Sequence, residues 1–508
     1  MMRMTGFRAR AAWCICTLCM STACVNVHVR ALTERELPIR RHAIFVDEQG
    51  RAQSVDVGKK SHYMSDSAYR RYLDTLMQGV RASGRTDLLI RVHGGRTSLD
   101  GALDASLWTR DSILSDTLTN FYPLFINWES TDVSSYGEHL FYVRQGQRYT
   151  KWYRGPLWSP FYLVADLGSG IFHLPIAAGY QVWQFWRPAT DAHVREKEKA
   201  ARLDAQRKAA AASVSARTYE HRIDGIELDT GRYLPGIDEE ALDVLKATAQ
   251  LPVKLLTLYG IESAGPEDYG NMHRRTRTMF RNPNEFTVYE GRTDYVRPTG
   301  AVSIFLDALD SMIRADTAGG KRYTITLVGH SMGAIVASEM IRSHPSLPYR
   351  NIVFMAAAST AREFEIGVLP YLEAHRETRF YDLTLHRLAE INEQEVAGFV
   401  PRGSLLSWLD GYLTGPETDM DRTIGRYDNI VLATHIFPDS VRPQVHIKEF
   451  GYKDSIFNYG PELKPFRHGQ FLDPEMPFWR CEYWVAPKTK CVEGSEPRPK
   501  VRAAQSRQ

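Results

Sequence analysis

The residues best suited to covalent chemistry lie at positions 329–333, Gly329-His330-Ser331-Met332-Gly333. This is a G-x-S-x-G spacing. A serine lifted clear of a sharp strand-to-helix turn needs small neighbours where backbones crowd, and glycine meets that demand. A neutral hydroxyl is a weak nucleophile near pH 7, so such a serine needs a base to take its proton as it attacks. It also needs backbone N–H groups aimed at the oxyanion that forms on the attacked carbon. The spacing alone recurs by chance on the order of once in ten chains of this length, so the flanking elements decide its meaning.

Those elements are legible. Residues 324–328, TITLV, read as a buried strand. Met332, Ile335, Val336, Met340 and Ile341 recur at helical spacing, Arg342 and His344 suit the negative end of the helix dipole, and Pro345 stops the helix. Upstream, 43–46 and 52–57 flank Glu48-Gln49-Gly50 as a hairpin, and Tyr69, Tyr72, Leu73, Leu76, Met77 and Val80 mark one helix face. The strand 87–92, DLLIRV, runs into His93-Gly94-Gly95-Arg96, a helix follows through Leu99, Leu103, Leu107 and Leu114, and 122–128 is another strand. After 298 the alternation resumes: a helix with Phe305 and Leu309, strands at 351–357, 380–385 and 444–450, and a helix through Ile366, Leu369 and Leu372. Strands alternating with helices predict an α/β domain with a mainly parallel central sheet flanked by helices.

The alternation lapses between 131 and 297, which reads as a large, mainly helical insertion. Within it 161–186 is apolar and aromatic but interrupted by Asp166, His173, Pro175 and glycines, fitting a packed or lipid-facing lid better than a spanning helix. Residues 191–212, rich in Ala, Lys, Arg and Glu, read as a solvated helix, and 251–259 as a strand of the insertion or a return to the core. The expected organisation is a leader at 1–24, core at 25–130, insertion at 131–297, core at 298–492 and a disordered Pro/Arg/Ser-rich tail at 493–508.

The 508 residues are 43% hydrophobic and 11% aromatic, enough for a large core. Their 63 basic and 60 acidic side chains balance once Arg3, Arg8 and Arg10 are set aside, so charge gives no reason to expect nucleic acid as a partner. Those arginines open a segment whose apolar run from Ala11 is too short for a comfortable span and leads through Ser21-Thr22-Ala23 to Cys24. Three of the six cysteines, Cys14, Cys16 and Cys19, precede Cys24 in this leader. Of the rest, Cys481 and Cys491 stand ten apart, fitting either a local disulfide of an oxidising compartment or two free thiols. There is no HExxH, paired CxxC or P-loop, so no metal or other cofactor is expected.

The ordered set at 85–130 and 298–480 resembles the α/β-hydrolase superfamily, the serine esterases and lipases among them. The resemblance implies an oxyanion-hole loop after an early strand, the nucleophile after a middle strand, an acid after the next strand but one and a histidine after the last. It places His93-Gly94-Gly95 first, with Gly95 and Met332 supplying the oxyanion N–H groups, and Ser331 second. His468, in the loop beyond 444–450, is the implied base, whereas His446 lies inside that strand and His330 supports the turn. Glu390, just past 380–385, is the implied acid, with Glu393, Asp410 and Asp439 as alternatives and Asp382 mid-strand. The implied activity is hydrolysis of a carboxylic ester through an acyl-enzyme, on a small-molecule or lipid-like acyl substrate. A thioesterase, acyltransferase or peptidase would use the same triad, and a catalytically silent envelope scaffold is the rival of another class. The leader resembles the lipobox of bacterial lipoproteins, with Ser21 departing from the usual aliphatic residue. It implies export to the periplasm and tethering through Cys24 or an uncleaved anchor.

Overall fold

Apolar runs buried on both faces form the centre of the computed structural model, which describes residues 28–144, 147–148, 153–211, 221–223, 226–229, 233–234, 240–280, 300–393, 400–453, 464–473 and 476–485. The leader with Cys24, Cys491 and the tail lie outside the described residues. In chain order the strands are β1 Ala43–Val46, β2 Asp87–Val92, β3 Phe121–Trp128, β4 Val143–Arg144, β5 Gln147–Arg148, β6 His221–Ile223, β7 Ile226–Asp229, β8 Tyr233–Leu234, β9 Thr324–His330, β10 Tyr349–Met355, β11 Arg379–Thr384, β12 Val445–Glu449 and β13 Tyr452–Lys453. The main helices are α1 Asp66–Ser83, α2 Leu99–Ser115, α3 Arg154–Ala211, α4 Glu240–Thr278, α5 Ala301–Ala318, α6 Gly333–Ser343 and α7 Arg387–Asn392.

Seven strands in the order β1-β3-β2-β9-β10-β11-β12 make an all-parallel sheet flanked by helices, and β7 and β6 extend it beyond β12. Register along β2 is continuous on both sides, from Asp87↔Phe121 to Val92↔Ile126 and from Asp87↔Thr324 to Val92↔Gly329. Such a strand has no solvent face, which is why DLLIRV reads as an apolar run rather than an alternation. β7 runs parallel to β12, and β6 returns antiparallel.

By its internal contacts the chain divides into two units, with the boundary inside β10. Unit 1 comprises 1–156, 270–353 and 477–508; unit 2 comprises 157–269 and 354–476. In unit 1, α1 starts on Ser65, whose hydroxyl accepts the Ala68 N–H, and ends on Gly84 in the left-handed region. α2 starts on Ser98 in the same way. Asp116 accepts hydrogen bonds from Trp479 and Arg480, each 2.7 Å, which ties 477–485 to this unit, and Cys481 beside them takes part in a disulfide. In unit 2, β11 pairs with β12 from Phe380↔Val445 to Thr384↔Glu449.

Three expectations need correction. Residues 251–259 are not a strand but lie within α4; an apolar run of that length carries no periodic signal to separate the two, and the helix is set by its long continuation on both sides. Residues 52–57 form only isolated bridges, Val46↔Ala52, Gln53↔Tyr63, Asp56↔Lys59 and Leu32↔Val57, so the antiparallel pairing begun across Gly50 stops short of a second strand. The single helix expected through 366–372 is two, Ala361–Gly367 and Leu369–Ala374, because Pro370 can start a helix but cannot continue one. The stretches 161–186 and 191–212 are helical through Ala211, all within α3.

Candidate active site

The turn between β9 and α6 is sterically over-determined. Ser331 sits at φ +52°, in the left-handed region that costs a residue with a Cβ about 1–2 kcal/mol. Among the described non-glycine residues only Arg96 and Ala356 share that sign. A Cβ added to Gly329 would stand 2.8 Å from the Ala334 Cα, and one added to Gly333 would stand 2.4 Å from the Val92 carbonyl oxygen and 2.7 Å from that of His93. Both glycines of the G-x-S-x-G pattern are therefore required by backbone approach.

The His-Gly-Gly loop packs against this turn. A Cβ on Gly94 would meet the Ser331 Cβ at 2.8 Å, and one on Gly95 would meet the Met332 Sδ at 2.7 Å. His93 fixes the loop from below. Its Nε2 accepts the Trp128 main-chain N–H at 2.9 Å, so the proton sits on Nδ1, which donates to the Gly94 carbonyl at 2.7 Å. The Trp128 indole donates in turn to the His93 carbonyl, and the two rings stack. Burial pushes the His93 imidazole down to about 3, so the ring is neutral across the physiological range and acts as a fixed donor and acceptor. Arg96, also at positive φ, donates its N–H to the Ser130 carbonyl and its guanidinium to Asp132.

Two donors are left over at this corner. Neither the Met332 N–H nor the Gly95 N–H makes a hydrogen bond to another described residue. Met332 precedes the first residue of α6, so its N–H belongs to the set a helix leaves unpaired at its positive end. Ser331 itself is 2% exposed. Strained serine, glycine walls and two uncommitted N–H groups all belong to unit 1.

The histidine and the carboxylates belong to unit 2. His468 opens a short 3-10 helix, and its main-chain N–H is held by Glu393, whose two carboxylate oxygens accept at 3.2 and 3.1 Å. Glu390, three residues earlier on α7, is buried and takes a hydrogen bond from the Ser404 hydroxyl on Oε2; its Oε1 has no hydrogen-bond partner among the described residues. Its hydrogen bonds do not include His468. Burial raises the Glu390 carboxyl to about 7, opposed by Arg426 and the Ser404 bond. Asp410 is fully engaged by Thr423, Arg426 and Asn429, and Asp439 is exposed beside Arg442. His446 stacks on Tyr381, a packing role.

Sequence reasoning passed over two features. Gly94, rather than Gly95, packs on the serine, while Gly95 packs on Met332, a contact hidden in any reading that assigns one donor per loop. Glu393 holds the backbone of His468, and nothing in the local pattern distinguishes it from Glu390. No protein-family model matches the chain, and no curated protein or solved structure matches it.

Proposed function

We propose that the protein is a serine hydrolase of the α/β-hydrolase type that cleaves carboxylic esters through an acyl-enzyme on Ser331. The observation that carries this reading is the strained Ser331 at φ +52°, walled by Gly94 and followed by an N–H with no hydrogen bond to another described residue. The strand-turn-helix context is the one in which a nucleophile is raised from a parallel sheet. Support also comes from chain order: a glycine loop after β2, the serine after β9, two glutamates after β11 and a histidine after β12.

In this reading the Ser331 hydroxyl attacks the ester carbon and passes its proton to His468. The oxyanion is received by the N–H groups of Met332 and Gly95, each such donor contributing about 2.7–4 kcal/mol to lowering the barrier. The imidazolium then protonates the departing alkoxide, and water repeats the sequence on the acyl-enzyme to release the acid and free Ser331. We assign the positioning of His468 to Glu393, which already holds its backbone, rather than to Glu390, whose carboxyl is turned to Ser404. The substrate class is a small-molecule or lipid-like acyl ester. Export and membrane tethering through the N-terminal segment and Cys24 complete the proposal, supported by the disulfide at Cys481, which an oxidising compartment would sustain.

A fluorophosphonate probe tests the reading on the full chain. Labelling is expected at Ser331 and absent from Ser331→Ala; a folded chain that takes no label at Ser331 would overturn it in favour of a silent scaffold.

A further inference from the structure

Helix α3 is built inside out. Between Arg154 and Arg187 its only formally charged side chain is Asp166, and that residue is turned inward, 4% exposed. The inward positions are small or polar, Ser159, Asp166, Gly170 and Ala177, spaced seven, four and seven apart so that they share one side of the helix. The outward positions are large and apolar: Trp158, Phe161, Val164, Ile171, Phe172 and Ile176, with Val164 at 69% and Phe172 at 81% exposure. An ordinary surface helix has the reverse polarity. Water on this face would meet an apolar stripe about 40 Å long, well beyond what single exposed side chains account for.

Within unit 2 the inward side is covered from Leu167 to Gln181. The Tyr259 hydroxyl of α4 donates to the Leu167 carbonyl at 3.0 Å, and Ser263 presses on Gly170 where no Cβ would fit. Further along, Gln181 exchanges two hydrogen bonds with the main chain of Arg402, and the Tyr180 ring lies against Gly411 and Tyr412. Small residues where helices meet and large apolar residues outside are what a helix shows when its solvent is hydrocarbon.

We propose that the outer face of α3 lies in the surface of a lipid bilayer, parallel to the membrane plane, and seats unit 2 there. Arg154–Trp183 is the one stretch among the described residues long and apolar enough to cross a membrane by length and composition. In-plane seating fits better than crossing. The chain that covers Gln181 is the loop at Arg402, whose main chain it hydrogen-bonds, and loop backbone open to lipid does not enter hydrocarbon beside a spanning helix. A half-cylinder of apolar side chains backed by protein is the shape of an interfacial helix. Trp158 and Trp183 near its ends suit the headgroup level, and the exposed Arg154 ahead of it suits anionic lipid. The inference goes beyond the hydrolase reading and stands without it.

The test uses the full chain and vesicles of phosphatidylcholine and phosphatidylglycerol. The triple variant Phe161→Gln, Ile171→Gln, Phe172→Gln, all at exposed positions, is expected to lower the vesicle partition constant by about 100-fold. Because an N-terminal tether can mask that loss, an environment-sensitive fluorescent amino acid at 172 gives a second readout. Vesicles should shift its emission to the blue and shield it from iodide, with stronger quenching by bromines near the headgroup than at the chain ends, and the same depth for a label at 161. A label that stays open to iodide on vesicles overturns the proposal, as does deep quenching at 172 with shallow quenching at 161, the pattern of a crossing helix. Shielding without vesicles, together with a dimer mass that the triple variant abolishes, would assign the face to a second copy and equally overturn it.

Discussion

Replacing Ser331 by glycine and by alanine separates the geometry of the turn from its chemistry. Both changes remove the hydroxyl, so neither variant should take a fluorophosphonate, and the two differ only in a Cβ. At an ordinary position glycine is the poorer choice by about 0.5–1 kcal/mol, because it loses more backbone freedom on folding. At φ +52° the order reverses, since a Cβ there approaches the neighbouring carbonyl at a cost of about 1–2 kcal/mol. The net expectation is that Ser331→Gly is more stable than Ser331→Ala by roughly 0.5–1 kcal/mol, a shift of a few degrees in thermal midpoint for a unit of this size. Differential scanning calorimetry on the two proteins reads the difference without interference from a bound probe. Ala337→Gly, in the middle of α6, supplies the opposite sign as a control. A Ser331→Ala protein as stable as Ser331→Gly, or more so, would refute the left-handed serine and with it the elbow.

Two further outcomes are expected. Asp382, fully buried on β11 with neither oxygen hydrogen-bonded to a described residue, is held protonated by burial, its carboxyl raised well above the usual carboxylate range. Its unfolded form ionises from about pH 4, so its contribution is present below that pH and lost as pH rises toward the folded value; urea melts should show Asp382→Asn gaining on the parent by about 1.4 kcal/mol per pH unit above pH 4, and parallel pH profiles would refute it. Glu393→Gln should lower the rate of Ser331 labelling by about 10-fold or more by loosening His468, with Glu390→Gln within severalfold of the parent; the reverse ranking would return the orienting role to Glu390.

How far the sequence could be read depended on whether a residue's role was local. The strand at 87–92 matches β2 residue for residue because a strand buried on both faces is a near-continuous apolar run, here broken by Arg91 alone among its buried positions, and His93-Gly94 follows it. The glycines at 329 and 333 were legible for a similar reason, since their need is set within a few residues. Residues 251–259 misled because a short apolar run reads equally well in either secondary structure. The neutral state of Asp382 and the grip of Glu393 on His468, 75 residues away, depend on what the fold brings near, and no local spacing encodes them.

A chance G-x-S-x-G makes no demand on a loop 235 residues earlier in the chain. Here Gly333 can carry no Cβ because the carbonyls of Val92 and His93 press on it, and Gly94 can carry none because Ser331 does. Each constraint is steric and each couples the same two segments, so the turn and the His-Gly-Gly loop form one object. A strained residue persists only where its surroundings over-determine it, and these contacts are that over-determination. A structural turn gains nothing from a left-handed serine that glycine would fill at lower cost. The strain is intelligible if the hydroxyl is wanted there, beside two N–H groups that bond no other described residue.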